Sequence, residues 1–183
     1  MLPYFQKIDR RNFITKSKTP ASPSSEIQIA VPGEVDLKKW TADEIIEVIH
    51  SSYDAVWKLR EVLGIHQVEY LSRFIRKDTY PKQIRATLRD AVTYFWVDLL
   101  SDTSLWRPEH SNQVYLLNPE ELLADSSDSL KNIELSNPGT HPILKATAIL
   151  TDLKRWHAKQ GNREGELEAL LSEVKLIHSN FSK

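Results

Sequence analysis

The chain has 183 residues, enough for one domain that buries roughly 70% of the surface its unfolded form would expose. Hydrophobic residues make up 40% and charged residues 27%, which excludes a wholly disordered chain and an integral membrane protein. Cysteine is absent, which rules out disulfides, thiolate metal sites and cysteine nucleophiles and fits a reducing, cytoplasmic setting; the formal net charge of -1 argues against a uniformly basic nucleic-acid glove.

Met1 to Arg11 interleaves Lys7, Asp9, Arg10 and Arg11 with apolar residues, so it lacks the apolar run of a signal peptide or membrane span, and export is not expected. Lys16 to Ser25 holds Pro20, Pro23 and four serines, too little apolar surface to offset ordering entropy. Ile27, Ile29 and Val31 alternate as in a short strand that Pro32-Gly33 stops. Residues 1–40 are therefore expected to be an extended or partly disordered segment, and residues 41–183 a helical-bundle domain.

Helical signals begin at Thr41, where Thr41-Ala-Asp-Glu44 is a capping box. Ile45, Ile49, Tyr53, Val56, Trp57 and Arg60 recur at helical spacing up to Gly64. A second helix is predicted from about Ile65 to Lys77, with Val68, Leu71 and Ile75 inward. Pro81 suits the first turn of a third, Lys82 to Leu100, with Ile84, Leu88, Ala91, Val92, Phe95 and Leu99 along one side and Tyr94, Trp96 and Val97 widening it.

Asn118-Pro-Glu-Glu121 starts a short helix that reaches Leu123, or Leu130 if it continues through Asp125 to Ser129. His141-Pro142 opens a helix carrying Ile143, Ala146, Ile149, Leu150, Leu153 and Trp156 to Gly161. A last helix runs from about Arg163 to His178 on Leu167, Leu170, Leu171, Val174 and Ile177. The predicted class is all-α: a compact helical bundle of about five to six helices with an extended N-terminal segment.

Motifs for catalysis are missing. Glu47-x-x-His50 has the spacing of a helical metal pair, but a di-metal bundle needs it twice, and His66-x-x-Glu69 has the reverse order. The remaining histidines, 110, 141, 157 and 178, stand singly. The serines at 22–25 and 126–129 lack a nucleophile elbow, and there is no phosphate-binding glycine loop. Asp125-Ser-Ser-Asp128 lacks the glycine and ligand spacing of a calcium loop, and Asn180-Phe-Ser182 is a bare glycosylation triplet. No enzyme, cofactor or metal is predicted.

Charge is distributed unevenly. Arg73, Arg76, Lys77, Lys82, Arg85 and Arg89 gather six cations against Asp78, whereas Glu120 to Glu134 holds five acids against Lys131. On successive helices these cations would form a stripe against a phosphate backbone, with Tyr70 and Tyr80 as stacking surfaces; a solvated face or a dock for an acidic partner is the alternative. A weaker group is Lys145, Lys154, Arg155, His157, Lys159 and Arg163, some of which complement the negative end of their helix. Lys154 and Arg155 join the candidate contacts.

Three segments also carry a likeness to a known family. Asn12 to Pro20 (Asn-Phe-Ile-Thr-Lys-Ser-Lys-Thr-Pro), Ile27 to Gly33 (Ile-Gln-Ile-Ala-Val-Pro-Gly) and Trp57 to Gly64 (Trp-Lys-Leu-Arg-Glu-Val-Leu-Gly) together resemble the end of the palm domain and the start of the helical C-terminal region in large subunits of type I-D CRISPR effectors. A chain opening there with its own methionine is similar to the separately translated small subunit of type I-D Cascade. The resemblance implies a non-catalytic helical subunit, several copies side by side, touching the large and backbone subunits and holding guide RNA and target DNA in the R-loop. Guide pairing reads sequence in such complexes, so shape and charge suffice here. A helical protein-protein adaptor without nucleic-acid binding is the competing expectation.

Overall fold

The computed structural model describes residues 39–74, 81–124 and 133–181, and the chain divides into two compact units, residues 1–48 and 49–183. The expected strand at 27–31, the possible helical continuation at 125–130 and the candidates Arg76, Lys77 and Tyr80 lie outside the described residues. Within these, the chain is all-α, with seven α-helices and three short 3-10 turns.

Helix α1 (Ala42–Trp57) starts at the capping box: the Glu44 amide donates to Thr41 Oγ1 at 3.2 Å, and the Thr41 amide to Glu44 Oε2 at 2.7 Å. It ends at Trp57, short of Gly64, and a separate turn, α2 (Arg60–Leu63), follows. The predicted second helix is reduced, among the described residues, to a 3-10 turn over Val68–Leu71. Helix α3 (Leu88–Ser101) begins six residues later than Pro81 and Lys82 suggest. Thr87 sets that start: its hydroxyl accepts from the Asp90 amide, and Asp90 Oδ2 accepts from the Thr87 amide at 2.9 Å.

Two short helices, α4 (Pro108–Gln113) and α5 (Pro119–Leu123), each have proline at their N-terminus, where its missing N–H costs nothing. Asn118 caps α5 through its side-chain oxygen, which accepts from the Glu120 amide at 3.0 Å. Helix α6 (Pro142–Gln160) is capped by His141 and closed by Gly161 at φ 71, the left-handed conformation that glycine adopts without a Cβ penalty. Helix α7 (Arg163–Phe181) follows directly and packs along α6, which also packs on α3.

The main core lies among these helices and gathers Trp57, Tyr94, Trp96, Val97, Leu100, Ala146, Ile149, Leu150, Leu153, Ala169 and Leu176. Trp96 is its anchor, fully buried, stacked on Tyr53 at 5.8 Å and edge-on to Trp57 at 6.2 Å. A second cluster joins Leu122, Ile143 and Ile177.

Two predicted faces are corrected. On α3 it is Tyr94, Trp96, Val97 and Leu100 that are buried, while Phe95 is exposed. On α7 the inward residues are Gly165, Ala169, Glu173, Leu176 and Ile177; Leu167, Leu170, Leu171 and Val174 point outward. At the N-terminal end of this face, close approach of α7 to α6 requires a glycine. An alanine-sized Cβ at Gly165 would stand 2.5 Å from His157 Nδ1.

Candidate nucleic-acid interface

The cations predicted to form one outward strip have different fates. Arg89 sits on the first turn of α3, a position whose side chain turns back into the bundle, and only 1% of its surface remains exposed. Its Nη1 donates to Glu61 Oε1 at 3.0 Å and its Nη2 to Asp152 Oδ2 at 2.7 Å, with the guanidinium 4.8 Å from the Trp156 ring. This side chain joins α2, α3 and α6 and offers nothing to a phosphate.

Arg85 also turns inward. Its Nη2 donates to Glu168 Oε1 on α7 at 2.6 Å, and its guanidinium lies 3.6 Å over the Tyr94 ring. Lys154 is buried on α6, where Nζ donates to Glu173 Oε2 at 3.0 Å, and the Thr151 hydroxyl donates to the other carboxylate oxygen at 2.7 Å. Arg155 is half-buried. The proposed stripe is thus corrected at three positions: Arg85 and Lys154 pair with the buried carboxylates of Glu168 and Glu173, and the buried Arg89 pairs with the more exposed Glu61 and Asp152, because a cation leaving water needs a paired anion.

His157 of the weaker basic group is internal too. Its Nε2 donates to Asp90 Oδ1 at 2.8 Å, and the other Asp90 oxygen holds the cap of α3. The pair has the shape of a catalytic dyad but no nucleophile: His157 Nδ1 is buried, without a hydrogen bond, against Gly165. Its role is to lock α3 to α6. Lys145 is also buried, and desolvation lowers its pKa, partly offset by Asp54 and Glu134 and reinforced by Arg107.

His50, of the metal-like pair, accepts a hydrogen bond at Nδ1 from Trp96 Nε1 at 3.1 Å, and burial, then the charge of Lys145, push its pKa down to about 4. A ring nitrogen committed to an indole N–H is not a free ligand. Among the described residues, no three His or carboxylate side chains come together as a metal site.

What remains outward is a smaller edge. The Val68 amide donates to the Ala86 carbonyl at 2.8 Å and the Leu88 amide to the His66 carbonyl at 2.9 Å, so segments 66–71 and 82–88 run side by side. Lys82 Nζ approaches Glu69 Oε1 only to 3.9 Å and is well exposed. Arg73 is exposed, and its neighbours in the chain, Tyr70 and Phe74, are aromatics at 76% and 85% exposure. Tyr70 is steadied by an edge-on contact with His66 at 6.0 Å. Phe74 went unnoticed in the sequence, where it reads as one apolar residue in a helical period.

The acidic segment is outward where it is described, at Glu120, Glu121 and Glu134. Among the described residues, no helix is long and apolar enough to cross a membrane. Comparison with protein-family models, curated proteins and solved structures gave no match.

Proposed function

We propose that this chain is a non-catalytic small subunit of an RNA-guided CRISPR surveillance complex, acting in the cytoplasm. It binds nucleic-acid backbone without reading sequence and steadies the R-loop and the assembly. Guide RNA, target DNA and the large and backbone subunits are its proposed partners. The reading rests on the resemblance of residues 12–20, 27–33 and 57–64 to type I-D effectors and on one structural observation: Tyr70, Arg73, Phe74 and Lys82 are all exposed. Large aromatics in water are costly unless a ligand covers them, and a base stacks on any aromatic face while a nearby cation meets its phosphate. Single-stranded nucleic acid fits that pairing better than a duplex, whose bases are already stacked.

The test is salt-dependent binding of an unstructured DNA oligonucleotide by the wild type and by Arg73→Glu/Lys82→Glu. Two lost phosphate contacts lower the slope of log affinity against log salt by about 1.4. An unchanged slope rejects the site.

A protein-protein adaptor is the second reading, and the outward leucines of α7 favour it. Retention of partner proteins by a chain that binds no nucleic acid at low salt would decide for it.

A further inference from the structure

Helix α7 is apolar on two faces, and only one of them belongs to the core. Gly165, Ala169, Leu176 and Ile177 face α6 and the second cluster, while Leu167, Leu170, Leu171 and Val174 form a separate outward stripe. These four are between 39% and 51% exposed although they follow the i, i+3, i+4, i+7 spacing of a helix-packing seam. A monomer gains nothing from such a stripe, whereas a second helix would cover it.

The stripe is symmetric about its centre, as any such spacing is, so it can accept a second copy of itself, and the flanking charges favour that occupant. Its midpoint falls between Leu170 and Leu171, and Leu167 and Val174 lie at equal distances on either side. An antiparallel copy rotated about that midpoint sets Leu170 against Leu171 and Leu167 against Val174, twice over. Charges follow the same rule. At 100° per residue, Glu164 falls on the same flank of the stripe as Lys175 and His178, and Lys175 lies about 16 Å further along the axis. All three are exposed. In the antiparallel pair, Glu164 of each copy therefore meets Lys175 and His178 of the other; a parallel pair leaves Glu164 about 16 Å along the axis from the other copy's Lys175 and on the opposite flank.

We infer that the chain self-associates through α7, two copies pairing antiparallel on the Leu167–Leu170–Leu171–Val174 stripe with Glu164 and Lys175 fixing the direction. The interface is isologous, so it closes at two. It rests on α7 alone and stands or falls apart from the nucleic-acid reading.

Sedimentation of the full chain without nucleic acid, from low micromolar to several hundred micromolar, tests it. A reversible monomer-dimer equilibrium is expected. Leu171→Glu, at the centre of the stripe, weakens dimerisation by at least about tenfold, and Leu167→Lys does the same if the first variant folds poorly. Glu164→Lys weakens the dimer, and adding Lys175→Glu restores it to within about threefold of wild type. A chain that stays monomeric throughout, or a dimer indifferent to both stripe variants, overturns the proposal. Failure of the double charge exchange to restore what the single change lost overturns the antiparallel register.

Discussion

Arg89 Nη2 stands 2.7 Å from Asp152 Oδ2, although the two residues are 63 positions apart in the chain. This contact converts what reads as a surface cation into an internal tie between α3 and α6, and it separates folding from binding among the basic residues. Arg89→Met keeps the aliphatic stem but loses two charge-assisted hydrogen bonds, so stability falls by about 2–3 kcal/mol, read as a lower urea midpoint at constant slope. Oligonucleotide affinity per folded molecule stays at the wild-type value.

Lys154 and Glu173 are both buried and satisfy each other. Lys154→Met leaves a carboxylate without its cation and costs about 3–5 kcal/mol, whereas Lys154→Met with Glu173→Leu recovers most of that loss. Urea denaturation of the single variants and the pair forms a double-mutant cycle with a large coupling; additive losses would contradict the pairing.

Gly165→Ala places a methyl group against the His157 ring. The contact forces α7 away from α6 and destabilises by about 1–3 kcal/mol. Thermal unfolding of the variant measures it, and an unchanged midpoint would show that the helices do not approach so closely.

Several histidines are held neutral by what they bond. His50 Nδ1 must accept from Trp96, and His141 Nδ1 accepts from the Ile143 amide at 3.1 Å while its Nε2 bonds the His110 carbonyl at 2.9 Å. Burial lowers the pKa of all three of His50, His110 and His141, that of His50 from 6.5 to about 4. The unfolded chain therefore takes up protons first, so the His50 contribution is complete above about pH 6.5 and is lost as the pH falls toward 4. The urea midpoint drops across that window, and His50→Gln, which keeps an acceptor for Trp96, flattens the drop.

The helical class was legible because its punctuation is local. Asn118-Pro119, His141-Pro142 and Gly161 each mark an end where the structure places one. Thr87-Leu-Arg-Asp90 carried the same information, yet the proline at 81 offered a competing start six residues earlier. The α7 face was misassigned for a physical reason: two apolar stripes share the helix, and the core side is the one with glycine, alanine and a glutamate that reads as surface. Arg85, Arg89 and Lys154 left the basic strip because clustering in sequence says nothing of acids that arrive from elsewhere. Glu168 is 83 residues from Arg85.

The proposed nucleic-acid edge is Tyr70, Arg73, Phe74 and Lys82, and not the carboxylate-paired Arg85 and Arg89. The direct measurement is fluorescence anisotropy of a labelled single-stranded oligonucleotide with Tyr70→Ala/Phe74→Ala. Both side chains are exposed, so folding is untouched, and losing two stacking contacts of at least about 1 kcal/mol each weakens binding about 30-fold or more. Wild-type affinity in that double variant would contradict the account.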